Sequence, residues 1–311
     1  MSINFNRNRT QREYEAILGI TPSELKAKKE EFKNHVLTKA EADLLKVSIK
    51  EDALDYFYNA ALSFAEGVDS IYQRRYSWAT VKLYYSVFYS LRASMASKNV
   101  AILVNQGISR LKIKELERPY GTNNPKYKST HKGTINHYID LYSGADILLT
   151  NTIDGLNAYE WLEELRDITN YREVCFVDPH CINPWAAFDS ALSSGKLTEL
   201  LTQLQGDDHY IFCFQEDYAS VAIPIKRLQQ TVKDLVSSGL MTKFNNERKE
   251  HLENIIKGDE RNINLWEEIC DYQAIIPTTN LIKYMMHCPE LSKTWQCSSP
   301  VSSLVGVLTR C

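Results

Sequence analysis

Several stretches of the chain gather residue types capable of chemistry. The most basic holds Arg110, Lys112, Lys114, Arg118, Lys126, Lys128 and Lys132 against only Glu115 and Glu117. Cations at that density attract phosphate locally, even though the whole chain carries a formal net charge of -3. His131 and His137 lie within and just beyond it, and imidazole is the side chain that exchanges protons near neutral pH. A second group is aromatic: Tyr84, Tyr85, Phe88 and Tyr89 stand at helical spacing. Such residues either stack on bases or fill a core, and a helix carrying them must bury most of them, which favours the core. A third gathers thiols and imidazoles, as Cys175, His180 and Cys181 and again as His287, Cys288 and Cys297. Neither set supplies four ligands at structural-zinc spacing, so no metal or cofactor is expected. Gly195-Lys196-Leu197-Thr198 lacks the upstream glycine of a phosphate loop and follows a helix where that motif needs a strand. The dehydrogenase, zinc-protease and serine-hydrolase signatures do not occur.

The elements that must position these residues read as mainly helical. Thr21-Pro22-Ser23-Glu24 and Thr38-Lys39-Ala40-Glu41 both have the form of a capping box, and each predicts a helix start. From about Lys50 to Val100 two long helical patterns follow one another, broken near Arg74–Ser77. The first carries Leu54, Phe57, Ala61, Phe64 and Val68; the second carries Trp78, Val81, Tyr85, Phe88 and Met95. Two helices joined this closely pack antiparallel. Further helices are predicted at about 157–172, with Trp161, Leu162, Leu165 and Ile168 on the buried side, and at 185–204, 224–237, 245–256 and 262–272. The segments 210–214 and 218–223 are rich in strand formers around a polar Gln215-Glu216-Asp217 turn, and predict a β-hairpin at about 209–223 closed by Pro224.

The run from Arg74 to Ala93, with Tyr84-Tyr85 leading into Leu91-Arg92-Ala93, resembles the second core helix of HEPN domains. Leu165-Arg166-Asp167-Ile168-Thr169-Asn170-Tyr171-Arg172 resembles the end of that family's last core helix, where an arginine is followed after four to six residues by a histidine. The likeness covers roughly residues 49 to 180. It implies a HEPN-like antiparallel bundle at 49–180, with an N-terminal helical extension at 1–48 and a C-terminal helical region at 181–311 that carries the hairpin. In that family two protomers or domains bring paired arginine-to-histidine motifs together over an RNA phosphate. Arg166 matches the arginine, but Tyr171 stands in the place of the histidine. A phenol with an ordinary pKa near 10 is a poor base at pH 7 yet a serviceable hydrogen-bond donor. The resemblance therefore implies phosphate recognition by Arg166, Tyr171, Asn170 and Arg172, aided by Arg92, Lys126, Lys128, His131 and Lys132, without efficient cleavage. A working endoribonuclease would need His131, His137 or His180 in place of the missing imidazole. Arg92 either reaches the motif or forms a buried ion pair with Asp167 or Glu163.

The 311 residues are 44% hydrophobic and 24% charged, an ordinary globular composition with a well-buried core. No apolar run approaches the roughly 20 residues that span a bilayer, and the polar N-terminus lacks the form of a secretory signal. Seven irregularly spaced cysteines read as reduced thiols. These features together predict a cytoplasmic protein without membrane contact. The resemblance adds RNA or another phosphate-bearing ligand as partner, a homo-oligomer or a larger complex, and a role in a prokaryotic defence or toxin system. A pure scaffold for a neighbouring effector is the third reading.

Overall fold

Two helices set the frame. In the computed structural model, which describes residues 8–121, 124–176, 178, 183–244 and 246–257, α3 (Lys39–Tyr72) and α4 (Tyr76–Ser97) pair along their length. Thr38 caps α3 with the predicted box: its hydroxyl accepts from Glu41 N, and the Glu41 carboxylate accepts from Thr38 N at 2.7 Å. The helices turn at Gln73–Arg75, where Arg74 adopts φ 55. Phe57, Ala60, Ala61, Phe64, Val68 and Ile71 of α3 are buried with Ala79, Leu83, Val87 and Leu91 of α4. The backbones approach closely at Gly67, where an added Cβ would lie 2.8 Å from Leu83 Cγ.

Helix α4 is covered on most of its surface, because α5 (Thr130–Tyr142), α6 (Ala158–Asp167) and α9 (Glu216–Ser237) all pack on it. Two small hairpins link these helices. The first pairs β1 (Val100–Val104) with β2 (Ile108–Lys112) in antiparallel register, Val104 opposite Ile108. The second, β3 (Thr152–Ile153) with β4 (Leu156–Asn157), turns through Asp154 and Gly155 at positive φ, the Asp-Gly signature of a tight hairpin. The short α1 (Arg9–Ile17) is tied down by Asp52 of α3, whose carboxylate accepts from Arg9 N, Thr10 N and the Thr10 hydroxyl. The described residues all fall in one compact unit, Met1–Ile269; the second unit, Cys270–Cys311, lies outside them, as does the helix predicted at 262–272.

Several expectations are corrected. The hairpin predicted at about 209–223 is absent: Phe212–Phe214 form a 3-10 turn and α9 begins at Glu216. Glu216 and Asp217 stand in its first turn, where acidic groups complement the helix N-terminus. Ala219 to Lys226 are all buried, so the run of strand-favouring residues reflects burial on every side. Pro224 lies inside the helix. The helix predicted at 185–204 divides into α7 (Ala186–Ser193) and α8 (Leu197–Gly206), broken by Gly195 at φ 70. The Thr21–Glu24 bonds form, but the chain continues in turns to the short α2 (Lys29–Asn34). The boundary expected between 48 and 49 falls inside α3. The helix predicted at 245–256 appears as α10 (Asn246–Lys257).

Candidate functional site

Helix α6 carries the arginine, and its start is set by local chemistry. Asn157 caps it, its side-chain oxygen accepting from Tyr159 N and Glu160 N at 3.1 Å each. Trp161 and Leu162 then bury against the bundle. Glu163 and Arg166 share that side of the helix, only 6% and 4% exposed. The last turn widens into a π-helical turn, Ile168–Arg172, a distortion often found at functional positions. It brings Tyr171 and Arg172 to the surface, and Tyr171 is 73% exposed.

The Arg166 guanidinium pairs with Asp167 at 3.0 Å, stands 4.0 Å from Glu163, and lies 4.5 Å from the centre of the Tyr84 ring and 5.7 Å from that of Tyr171. Its Nε is buried and has no hydrogen-bond partner among the described residues. The Tyr84 hydroxyl, on α4, is 2.9 Å from His131 Nδ1, on the first turn of α5. The His131 ring packs against Phe88 at 4.8 Å and against Tyr84 and Tyr85 at 5.7 Å each. An arginine, a phenol and an imidazole from three helices thus form one cluster. Burial lowers the His131 pKa below the usual value, and the positive charges of Arg166 and Arg92 lower it further, against a raising effect of Asp167. Burial raises the Tyr84 pKa, with the charge of Glu163 adding to the rise.

A cleft of about 190 Å³ opens beside the cluster between α5 and α6. Glu160, Glu163, Glu164 and Asp167 line it with Lys132 and Asn136. Glu160 accepts from the Asn157 amide at 2.5 Å, Glu164 pairs with Arg172 at 2.5 Å, and Asp167 pairs with Arg166. The Glu163 carboxyl, by contrast, accepts no hydrogen bond among the described residues. Burial pushes its pKa up to about 7 against the opposing effect of Lys132. The sequence offers Glu163 as a buried partner of Arg92; the structure sets it instead beside Arg166, three residues along the same helix face.

The other predicted residues are scattered. Arg92 joins neither Asp167 nor Glu163: its guanidinium lies 4.4 Å over the Tyr56 ring and 5.8 Å from that of Phe88. Lys126 is exposed and pairs with Asp140 at 2.6 Å, and Lys128 is exposed with no ion pair among the described residues. Lys132 is exposed at the cleft, and Asn170 is half-buried on the π-helical turn. His137 is fully buried, its ring 3.8 Å from that of Tyr127 and walled by Gly121. Burial and Arg110 bring its pKa down to about 4, and no contact joins it to the Arg166 cluster among the described residues. His180 lies outside the described residues. Tyr84 and Phe88 belong to the core, as their spacing suggests, while Tyr85 and Tyr89 are half-buried with rings 6.0 Å apart. Among the described residues no group of three or more histidine, cysteine or carboxylate side chains is placed to hold a metal ion, and no helix is long and apolar enough to cross a membrane. Cys175 and Cys213 are free thiols. Compared with known protein families, curated proteins and solved structures, the chain matches none.

Proposed function

We propose that this chain is a HEPN-like binding component of a prokaryotic defence or toxin system, recognising an RNA phosphate or another phosphate-bearing ligand through Arg166 without cutting it efficiently. The reading is carried by the 2.9 Å contact between the Tyr84 hydroxyl and His131 Nδ1 beside Arg166. With the Tyr84 hydroxyl donating to Nδ1, the remaining ring proton sits on Nε2. His131 then offers a phosphate an N–H donor and lacks the lone pair needed to deprotonate a ribose hydroxyl. Asn170 and Arg172 supply further contacts on the π-helical turn, and Lys132 supplies one on α5. The exposed Tyr171 ring lies beside Arg166, whose Nε has no partner among the described residues. A second copy of the chain, or a neighbouring effector, completes the site. Trp78 and Phe176, exposed with ring centres 5.6 Å apart, and the exposed Val174 give such a partner an apolar surface.

The endoribonuclease reading keeps one specific support, Glu163, a carboxyl that exchanges its proton near neutral pH beside the guanidinium. Binding and cleavage of a single-stranded RNA by wild type, Arg166→Ala, His131→Gln and Glu163→Gln separate the two. Binding that survives chelator, weakens with salt and falls at least tenfold in Arg166→Ala is the expected result. Cleavage lost in His131→Gln or Glu163→Gln would replace the binder by the enzyme. Absence of RNA and nucleotide binding, with a stable co-purifying protein, would leave the scaffold alone.

A further inference from the structure

A second cleft, of about 130 Å³, lies where α5, α9 and the turn at Ile147–Leu149 meet. Both of its carboxylates are already satisfied. Asp146 accepts from the Tyr138 hydroxyl at 2.9 Å and from the Tyr159 hydroxyl, and pairs with Arg227 at 3.2 Å. Asp234 pairs with Lys98 at 3.0 Å and with Arg227 at 3.4 Å.

Lys226 differs from these groups. It lines the cleft, is only 3% exposed, and has no carboxylate within 4.0 Å among the described residues; Asp207 and Asp208 lie farther off. Its one strong hydrogen bond runs to the Gln205 carbonyl at 2.6 Å, at the end of α8. Capping that helix end uses one of the ammonium's three donors. A buried cation without a counter-ion is costly, and burial accordingly lowers the Lys226 pKa. Such a group in a cavity wall is the arrangement expected where an anion arrives from outside. The remaining wall is aromatic and apolar: Tyr138, Tyr142 and Tyr210, with Ile147 and Leu148. The Tyr210 ring lies 5.6 Å from the ammonium. The hydroxyls of Tyr142 and Tyr210 make no hydrogen bond among the described residues, so both remain to donate.

We infer that this cleft binds a small flat molecule carrying one carboxylate or phosphate group, with the anion against Lys226 and the ring against Tyr142 and Tyr210. The site is independent of the Arg166 cluster, and neither stands or falls with the other. Isothermal titration of the full chain with phenyl phosphate, benzoate and the neutral benzamide tests it. At least one anion should bind and benzamide should not, and whichever anion binds identifies the charged group. Lys226→Met should weaken that binding at least tenfold and Tyr142→Ala severalfold. If Lys226→Met fails to fold, as circular dichroism would reveal, the half-buried Tyr142→Ala and the benzamide comparison decide. Absence of binding by both anions at about 10 mM, or equal affinity in a folded Lys226→Met, would overturn the inference.

Discussion

Arg227 and Arg166 both pack against α4 and both are buried, yet their donors are used very differently. Arg227, with no exposed surface, contacts Tyr138, Ser94, Thr231, Asp146 and Asp234, so that Nε and both terminal nitrogens have partners. Among the described residues Arg166 has one close carboxylate, a second at 4.0 Å, and an unused Nε. A buried cation whose every donor is engaged inside the chain has nothing left to offer a ligand, and its task is to organise a core. One left short of partners beside a cleft retains capacity for recognition. The contrast matters because both residues look alike in the sequence, as single arginines on otherwise apolar helix faces.

The comparison is most easily broken at Arg227. Arg227→Met leaves Asp146 and Asp234 buried without their shared cation, and should cost about 3–5 kcal/mol in urea denaturation. A cost below about 1 kcal/mol would show that the network contributes little. Glu163→Gln should move stability the other way. The Glu163 carboxyl has an ordinary value of 4.5 and is pushed up to about 7 in the folded chain. Between those values the folded state keeps a proton that the unfolded state has released, so stability falls as pH rises through that window. The glutamine variant stays neutral and should be more stable than wild type by up to about 3 kcal/mol near pH 8, the difference vanishing towards pH 4. Parallel melting curves for the two proteins would refute the buried ionisation.

Arg166→Ala should cost less than Arg227→Met, about 1–2 kcal/mol, because Asp167 remains partly hydrated and able to bear its charge. Equal costs at the two arginines would erase the distinction drawn above. The smallest effect is expected for Arg172→Ala, under about 0.5 kcal/mol, since its pair with Glu164 is largely exposed. NMR titration of His131 sharpens the same picture: its ring should remain neutral to lower pH than an ordinary histidine, and a midpoint raised above the usual value would mean that the nearby arginines do not face it.

The bundle was legible in the sequence where helical spacing ran long. α4 and α6 follow from apolar periodicity and the start of α3 from its capping box at Thr38, which acts within a few residues, whereas the unbroken run of α3 past residue 48 does not. In α9, Tyr218 to Ile223 favour strands intrinsically, whereas packing on α4 decides their conformation. Arg166 was found by resemblance, but its surroundings were not. The contact of Tyr84 with His131 joins residues 47 apart, and that of Arg227 with Asp146 joins residues 81 apart. No local rule reports such pairings. What the sequence does carry is a weaker sign, a charge such as Arg227 set between Ile225 and Leu228, which predicts a buried ion in need of partners without naming them.

The passage of α3 through residues 48 and 49 bears on how this chain can be dissected. A cut at that boundary would sever a helix in mid-course and discard Leu45, whose side chain is fully enclosed, together with the α1 backbone amides bound to Asp52. The N-terminal segment is consequently no detachable appendage: recombination or truncation that preserves the arginine cluster must begin upstream of Arg9 or supply another cover for Asp52.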